Sequence, residues 1–138
     1  MRLPVFVALS LVAGTAAAAQ ESPFLFDALQ NRVYHGAWEK LMKTVQPTPD
    51  WLLQFNKNFD GVASELKPVT IDGKTYQIAY VCKPSGKPGE CAERKFEVLF
   101  ETGGTHAYGA LGGRNEDPAY FGAPSPAMQD VLAKAVKD

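Results

Sequence analysis

The sequence is poor in the residues that usually build a reaction centre. Its 138 residues contain only two cysteines and two histidines. His35 and His106 lie far apart in the chain, without the spacing of a metal-ligand pair. No G-x-S-x-G nucleophile motif occurs. The sequence therefore predicts neither a metal site nor a cofactor.

An excess of charge of one sign is also absent. The chain has 14 Lys+Arg and 15 Asp+Glu, which gives a formal net charge of −1. A nucleic-acid-binding domain would carry a basic patch or stripe. We therefore expect no nucleic-acid partner.

Long hydrophobic runs are absent except at the N-terminus. There Arg2 precedes the apolar stretch VFVALSLVA, and small residues follow up to Ala19. This pattern is typical of a cleaved signal peptide. An uncleaved anchor is the alternative, although the run is shorter than the about 20 residues of a membrane span. We expect a signal peptide at residues 1–19, one domain at residues 20–138, a periplasmic location and no membrane contact after cleavage.

The two cysteines enclose a short and unusual loop. In an exported chain, two cysteines predict one disulfide, here between Cys82 and Cys91. The segment between them reads KPSGKPGE, with two prolines and two glycines that favour a stiff, shaped projection. Closing the hairpin is one purpose of such a bond. Binding residues also concentrate on loops that a rigid scaffold holds.

The middle of the chain predicts antiparallel β-structure. Asp72-Gly73 separates two β-rich runs in VTIDGKTYQIAYVC, which is a strong hairpin signal. The segment ERKFEVLFETGG alternates between apolar and polar residues, and THAYGAL predicts a further strand. The alternation places one set inward and the other outward: Phe96, Val98 and Phe100 against Lys95, Glu97 and Glu101. The glycines of GALGGRN indicate turns rather than a phosphate-binding loop.

Helices are predicted before and after this β-region in the chain. Ser22-Pro23 and Ser125-Pro126 each combine a capping serine with a proline preset for the first turn. The segment GAWEKLMKTV has apolar residues at helical spacing. The expected fold is α+β: a curved antiparallel meander of about four to five strands with helices packed on one face.

Four glutamates could suggest an enzyme. Glu90, Glu93, Glu97 and Glu101 lie along the third predicted strand and its approach. Glycoside hydrolysis uses two carboxylates, so a glycan-acting enzyme that uses Glu97 and Glu101 is one hypothesis. The outward face of an amphipathic strand explains both residues more simply as solvated surface.

Several segments together resemble the inhibitor of vertebrate lysozyme (Ivy) family of periplasmic proteins. They are TPDWLLQF, VTIDGKTYQIAYVCKP with its second cysteine, FEVLF, AYGAL and AYFGAPSPAMQDVLAKAV. The resemblance covers nearly all of residues 20–138. It implies the fold given above and a protein that is not an enzyme. It also implies a disulfide-closed loop, typically Cys-Lys-Pro-His-Asp-Cys, that plugs the active-site cleft of c-type lysozyme. The family includes dimers, so a homodimer is compatible with it.

Carried over residue by residue, the resemblance matches Cys82, Lys83 and Pro84 at the start of the loop and Cys91 at its end. The sequence between them departs from the family pattern. Eight residues separate the cysteines instead of four, and they contain no histidine, the residue that engages the catalytic Glu and Asp in the family. The candidate partner-binding residues are as follows: Lys83, Pro84, Ser85, Gly86, Lys87, Pro88, Gly89 and Glu90.

A cationic side chain is the natural substitute for the missing histidine. One of the two cleft carboxylates of lysozyme is ionised, and a lysine on a stiff loop could pair with it. Lys87, between Gly86 and Pro88, is the first choice and Lys83 the second. The resemblance thus implies an inhibitor of c-type lysozyme or a related muramidase. The alternative keeps the fold and changes the partner to a lytic transglycosylase or a g-type lysozyme.

Overall fold

A computed structural model describes residues 22–138; the signal peptide expected at residues 1–19 lies outside them. The helices and strands in chain order are α1 (Leu25–Ala28), α2 (Arg32–Met42), α3 (Asp50–Asn58), β1 (Val62–Ala63), β2 (Lys67–Ile71), β3 (Lys74–Pro84), β4 (Cys91–Glu101), β5 (Ala107–Gly113), β6 (Glu116–Phe121) and α4 (Pro126–Lys137). No helix among residues 22–138 is both long enough and apolar enough to span a membrane.

The strands form one open antiparallel sheet in the order β1-β3-β4-β5-β6, and β2 also pairs with β3. The hairpin predicted at Asp72-Gly73 is confirmed, since Ile71 pairs with Lys74 across it. Both turn residues have positive φ, 48° and 78°, as a type I′ hairpin turn requires. The α+β class is therefore confirmed, and residues 22–138 form six strands where the sequence predicted four or five.

One face of the sheet packs against the first three helices. The side chains of Phe96, Val98 and Phe100 on β4 point to this face and are fully buried. Trp38 of α2 packs edge-to-face on Phe96 and on Phe55 of α3. The inward set predicted for β4 is therefore confirmed.

The opposite face is covered as well, which corrects the expectation of helices on one face. Leu132 and Val136 of α4 pack there with Leu99 of β4 and Ala110 of β5. Glu97, expected on a solvated surface, is buried on this face and only 4% exposed. Alternation along a strand shows which side chains share a face, but it does not show whether a distant helix covers that face.

Helix α4 begins where it was predicted, whereas α1 and α2 begin at other residues. Helix α4 begins as predicted, because the Ser125 hydroxyl accepts the Met128 N–H and Pro126 occupies the first turn. Helix α1 begins only at Leu25, without a cap from Ser22. Helix α2 begins at Arg32, four residues before the predicted segment, because the Asn31 side chain accepts the Val33 N–H.

The glycines of GALGGRN lie within β5, and not in turns as predicted. A Cβ at Gly109 would stand 2.4 Å from the ring of Phe96, so the strand needs a glycine where this ring crosses it. The sequence does not predict strand β6, because Pro118 lies within it and a proline argues against a strand. Proline is tolerated there because β6 is an edge strand.

The cost of burying the Glu97 carboxylate is only partly offset by a nearby positive charge. The Nζ of Lys95 lies 3.8 Å from its carboxylate and donates to the Ala135 carbonyl at 3.1 Å. Burial raises the pKa of Glu97 from 4.5 to about 7; the charge of Lys95 opposes this rise and that of Asp138 adds to it. The folded state therefore holds the proton more tightly than the unfolded chain does.

This difference predicts a pH-dependent stability. The stabilisation is complete below pH 4.5 and is lost as the pH rises towards 7, at a total cost on the order of 3 kcal/mol. In Glu97→Gln, we expect the loss of stability between pH 4.5 and pH 8 to be smaller than in the wild type. Urea unfolding at several pH values measures this, with Glu93→Gln, an exposed neighbour on the same strand, as control. Equal pH dependence in Glu97→Gln and the wild type would contradict the prediction.

Candidate functional site

The segment between the cysteines is a projecting extension of the central β3–β4 hairpin. The predicted disulfide between Cys82 and Cys91 is present, with their Cα atoms 5.5 Å apart. Pro84 pairs with Cys91 at the end of the ladder, after an irregularity that follows Cys82. We call residues 83–90 the cystine loop. The bond therefore fastens the two strands where the loop leaves the sheet.

The tip of the cystine loop is an ordered turn. The Glu90 N–H donates to the Lys87 carbonyl at 3.2 Å, and the Ser85 N–H donates to the Glu90 carbonyl at 3.1 Å. Pro88 and Gly89 occupy the central turn positions, and Gly89 has φ 73°. This is the arrangement of a type II turn, which favours proline and then glycine.

Lys87 has a fixed backbone and a free side chain. Its N–H donates to the Ser85 hydroxyl at 3.2 Å, and its carbonyl is held by Glu90. Within residues 22–138, neither Lys87 nor Lys83 forms an ion pair. All eight residues of the loop are exposed. The loop therefore presents unpaired cations on a constrained backbone.

A groove opens at the base of the loop, on the face that carries α3. It has a volume of about 570 Å³, and its most informative lining residues are Trp51, Lys83, Arg94, Leu111, Ala119 and Phe121. Sequence reasoning missed this groove because five different elements supply its walls. Trp51 lies within TPDWLLQF, the one signal in the sequence that could have drawn attention to it.

A second, more polar concavity lies beside the same strands. Lys83 and Arg94 line it together with Arg114 and Asn115 of the β5–β6 turn, and its volume is about 390 Å³. The Nε of Arg94 donates to the Glu116 carboxylate at 2.9 Å. Lys83 and Arg94 thus stand on the boundary between an apolar groove and a polar one.

The glutamates of β4 do not form a two-carboxylate site. Glu97 and Glu101 are four residues apart on one strand, which separates their Cα atoms by roughly 13 Å. Glycosidase carboxylates lie within about 10 Å of each other. Glu97 is buried under α4, so the description of both residues as surface glutamates is wrong for Glu97.

Glu101 belongs to a separate polar cluster at the other end of β4. It accepts from the Tyr108 hydroxyl at 3.2 Å and pairs with Lys74 and His106. Partial burial opposes its ionisation, but the hydrogen bonds from Lys74 and Tyr108 and the nearby charges hold the pKa of Glu101 below its ordinary value. The other histidine, His35, pairs with Glu39 on its own helix, so the two histidines serve different clusters.

A Ser-x-x-Lys spacing occurs from Ser64 to Lys67, a pattern known from acylating enzymes. The Ser64 hydroxyl accepts the Tyr80 N–H at 2.9 Å and donates to the Glu65 carbonyl at 3.0 Å. This hydroxyl therefore ties the chain between β1 and β2 to β3.

Comparison with known proteins confirms the resemblance drawn from the sequence. The chain is 25% identical over 134 residues to a Pseudomonas aeruginosa protein named inhibitor of vertebrate lysozyme; the match covers 88% of this chain and 82% of that protein. No family model matches the chain. At this identity the chain is a divergent relative of that inhibitor.

The disulfide predicts a measurable loss of stability on reduction. Closing a loop of this length stabilises a fold by about 2.5–3 kcal/mol in the chain-entropy model. We expect reducing agent to lower the free energy of unfolding by that amount. The Cys82→Ala/Cys91→Ala variant is the control, because its stability should not respond to reductant. A wild-type protein whose denaturant midpoint is the same with and without reductant would contradict the prediction.

Proposed function

We propose that this protein is a periplasmic inhibitor of c-type lysozyme or a related muramidase, and that the cystine loop enters the cleft of the enzyme. The P. aeruginosa relative is named an inhibitor, not an enzyme, which supports a binding role rather than catalysis. The observation that carries the proposal is the exposed loop of residues 83–90, closed by the disulfide at its base.

The construction of the loop suits insertion into a cleft. Its backbone is already ordered by three hydrogen bonds, two between backbone groups and one from Lys87 to Ser85. Binding therefore costs less conformational entropy than it would for a flexible loop. A six-residue tip, residues 85–90, extends at most about 10 Å beyond the last ladder pair, since three residues lie on each side of it.

The charge of the loop suits the chemistry of that cleft. A lysozyme cleft holds two carboxylates, of which one is ionised and one is kept protonated by its environment. The Nζ of Lys87 would pair with the ionised carboxylate in the position that the histidine of the family takes. A charge-assisted hydrogen bond of this kind contributes roughly 1.5–3 kcal/mol. Lys83, at the base, is the second candidate for this contact.

The rest of the molecule favours encounter only weakly. Removing residues 1–19 takes away one basic residue, Arg2, and no acidic one, so the net charge changes from −1 to −2. Attraction to a basic lysozyme is then small and falls with salt concentration. Affinity must therefore come from the contacts made after docking.

The proposal predicts inhibition that depends on Lys87. In a cell-wall turnover assay with c-type lysozyme, excess wild-type protein should suppress activity. Lys87→Ala should raise the inhibition constant about 10- to 100-fold, because one charge-assisted contact is lost. Lys134→Ala is the matched control, since it removes an exposed lysine from α4, away from the loop.

Two results would count against the proposal in different ways. Full retained lysozyme activity at excess wild-type protein would exclude this target. Inhibition that is equal for Lys87→Ala and the wild type would leave Lys83 as the cationic contact, which Lys83→Ala then tests.

A second candidate partner is favoured by the length of the loop. Eight residues separate the cysteines, where the family typically has four, and a wider tip would suit a wider cleft. The candidates are a lytic transglycosylase or a g-type lysozyme. Inhibition measured against c-type, g-type and i-type lysozymes and a lytic transglycosylase distinguishes them. We expect the strongest inhibition of the c-type enzyme; stronger inhibition of another member would assign the protein to that target instead.

A further inference from the structure

The cystine loop is too small to form a stable interface alone. Specific protein complexes bury roughly 800 Å² on each partner, supplied by about 20–30 residues. The eight residues of the loop would then supply roughly a third of that area. A partner that admits the loop must contact surface around its base. A stable complex would therefore need a second contact region next to residues 83–90.

The groove that contains Trp51 lies at that position. Lys83 is both the first residue of the loop and part of the groove wall, so the two surfaces are continuous. Because the tip extends at most about 10 Å, the rim of an occupied cleft would stand at the level of the groove. A partner cannot enclose the loop without bringing its rim to this face or to the polar concavity beside it.

We propose that the groove receives a rim segment of the same enzyme whose cleft receives the loop. This inference rests on the proposed function. The occupant is a protein segment that presents an apolar or aromatic side chain with a carboxylate beside it. Trp51 and Phe121 offer half-buried aromatic surface to the apolar group. Lys83 and Arg94 face the carboxylate at the end of the groove nearest the loop.

The anatomy of the groove favours a protein segment. Interface centres are apolar and enriched in aromatic residues and arginine, with charges at the rim. Residues of the types of Trp51 and Arg94 dominate binding energy when they are desolvated. Lys83 has no ion pair within residues 22–138, so a carboxylate would gain a partner without displacing another. Among the described residues, none of those that line the polar concavity is aromatic, so this concavity would form the rim.

The two tryptophans of the chain provide a direct readout. Trp38 is 1% exposed in the core, whereas Trp51 lines the groove. In protein labelled with 5-fluorotryptophan, c-type lysozyme should shift the ¹⁹F resonance of Trp51 and leave that of Trp38 in place. Trp51→Phe assigns the two resonances. An unchanged Trp51 resonance in a saturated complex would overturn the inference.

Variants measure how much the groove contributes to the affinity for lysozyme. Trp51→Ala should weaken lysozyme binding about 10-fold or more, while Leu53→Ala, an exposed apolar residue on the same helix, should not. Trp51 also contacts the core, so Ala119→Tyr serves as a second variant that fills the groove from an exposed strand position. It should weaken binding as well. Thr75→Tyr, exposed at the far end of β3, is its control.

The outcomes separate the groove from the loop. If wild type binds and both groove variants bind equally well, the groove inference is wrong and loop insertion stands. If the wild type binds no enzyme of the lysozyme panel, the proposed function fails and the groove inference fails with it. A Trp51 shift with cell-wall saccharide but not with enzyme would identify a glycan as the occupant and overturn the inference.

Discussion

The long pairing of β3 with β4 holds both the core and the cystine loop in place. Both strands have 11 residues, and their ladder runs from the Tyr76–Glu101 pair to the Pro84–Cys91 pair. Most of this ladder lies in the core, including the Val81–Phe96 pair next to the disulfide. Only its end, at the Pro84–Cys91 pair, reaches beyond the core and carries the cystine loop. A rigid centre thus holds an exposed tip at a defined distance and orientation.

The candidate site combines a charged surface at the loop tip with an apolar surface at the loop base. The tip presents a cation on an ordered backbone, which suits one specific contact with a carboxylate. The groove at its base presents Trp51 and Phe121, which suit apolar contact over a larger area. Lys83 belongs to both surfaces. Under the proposed function, the tip would bind in an active-site cleft, and the groove would supply contact area that a loop of this size lacks.

Local signals made much of the fold predictable from sequence. The Asp72-Gly73 hairpin, the alternation of FEVLF and the Ser125 cap each depend on neighbours within a few residues. Features that depend on distant segments were not predictable. The strand pattern around Glu97 is the same whether water or α4 covers that face. Pro118 argued against a strand at β6, because only the sheet topology shows that β6 lies at an edge, where proline is tolerated. The loop could be found between two cysteines, but its groove brings together residues from five separate elements.

Competition between a saccharide and this protein for the lysozyme cleft is the sharpest test of loop insertion. An oligosaccharide of N-acetylglucosamine that occupies the active site of c-type lysozyme should exclude the cystine loop. Calorimetric titration of lysozyme with this protein, at increasing saccharide concentration, measures the effect. If the loop enters the cleft, the apparent Kd rises in proportion to saccharide concentration once that concentration exceeds the saccharide's own Kd. Tight binding with an apparent Kd that saccharide does not change would contradict insertion of the loop into the cleft.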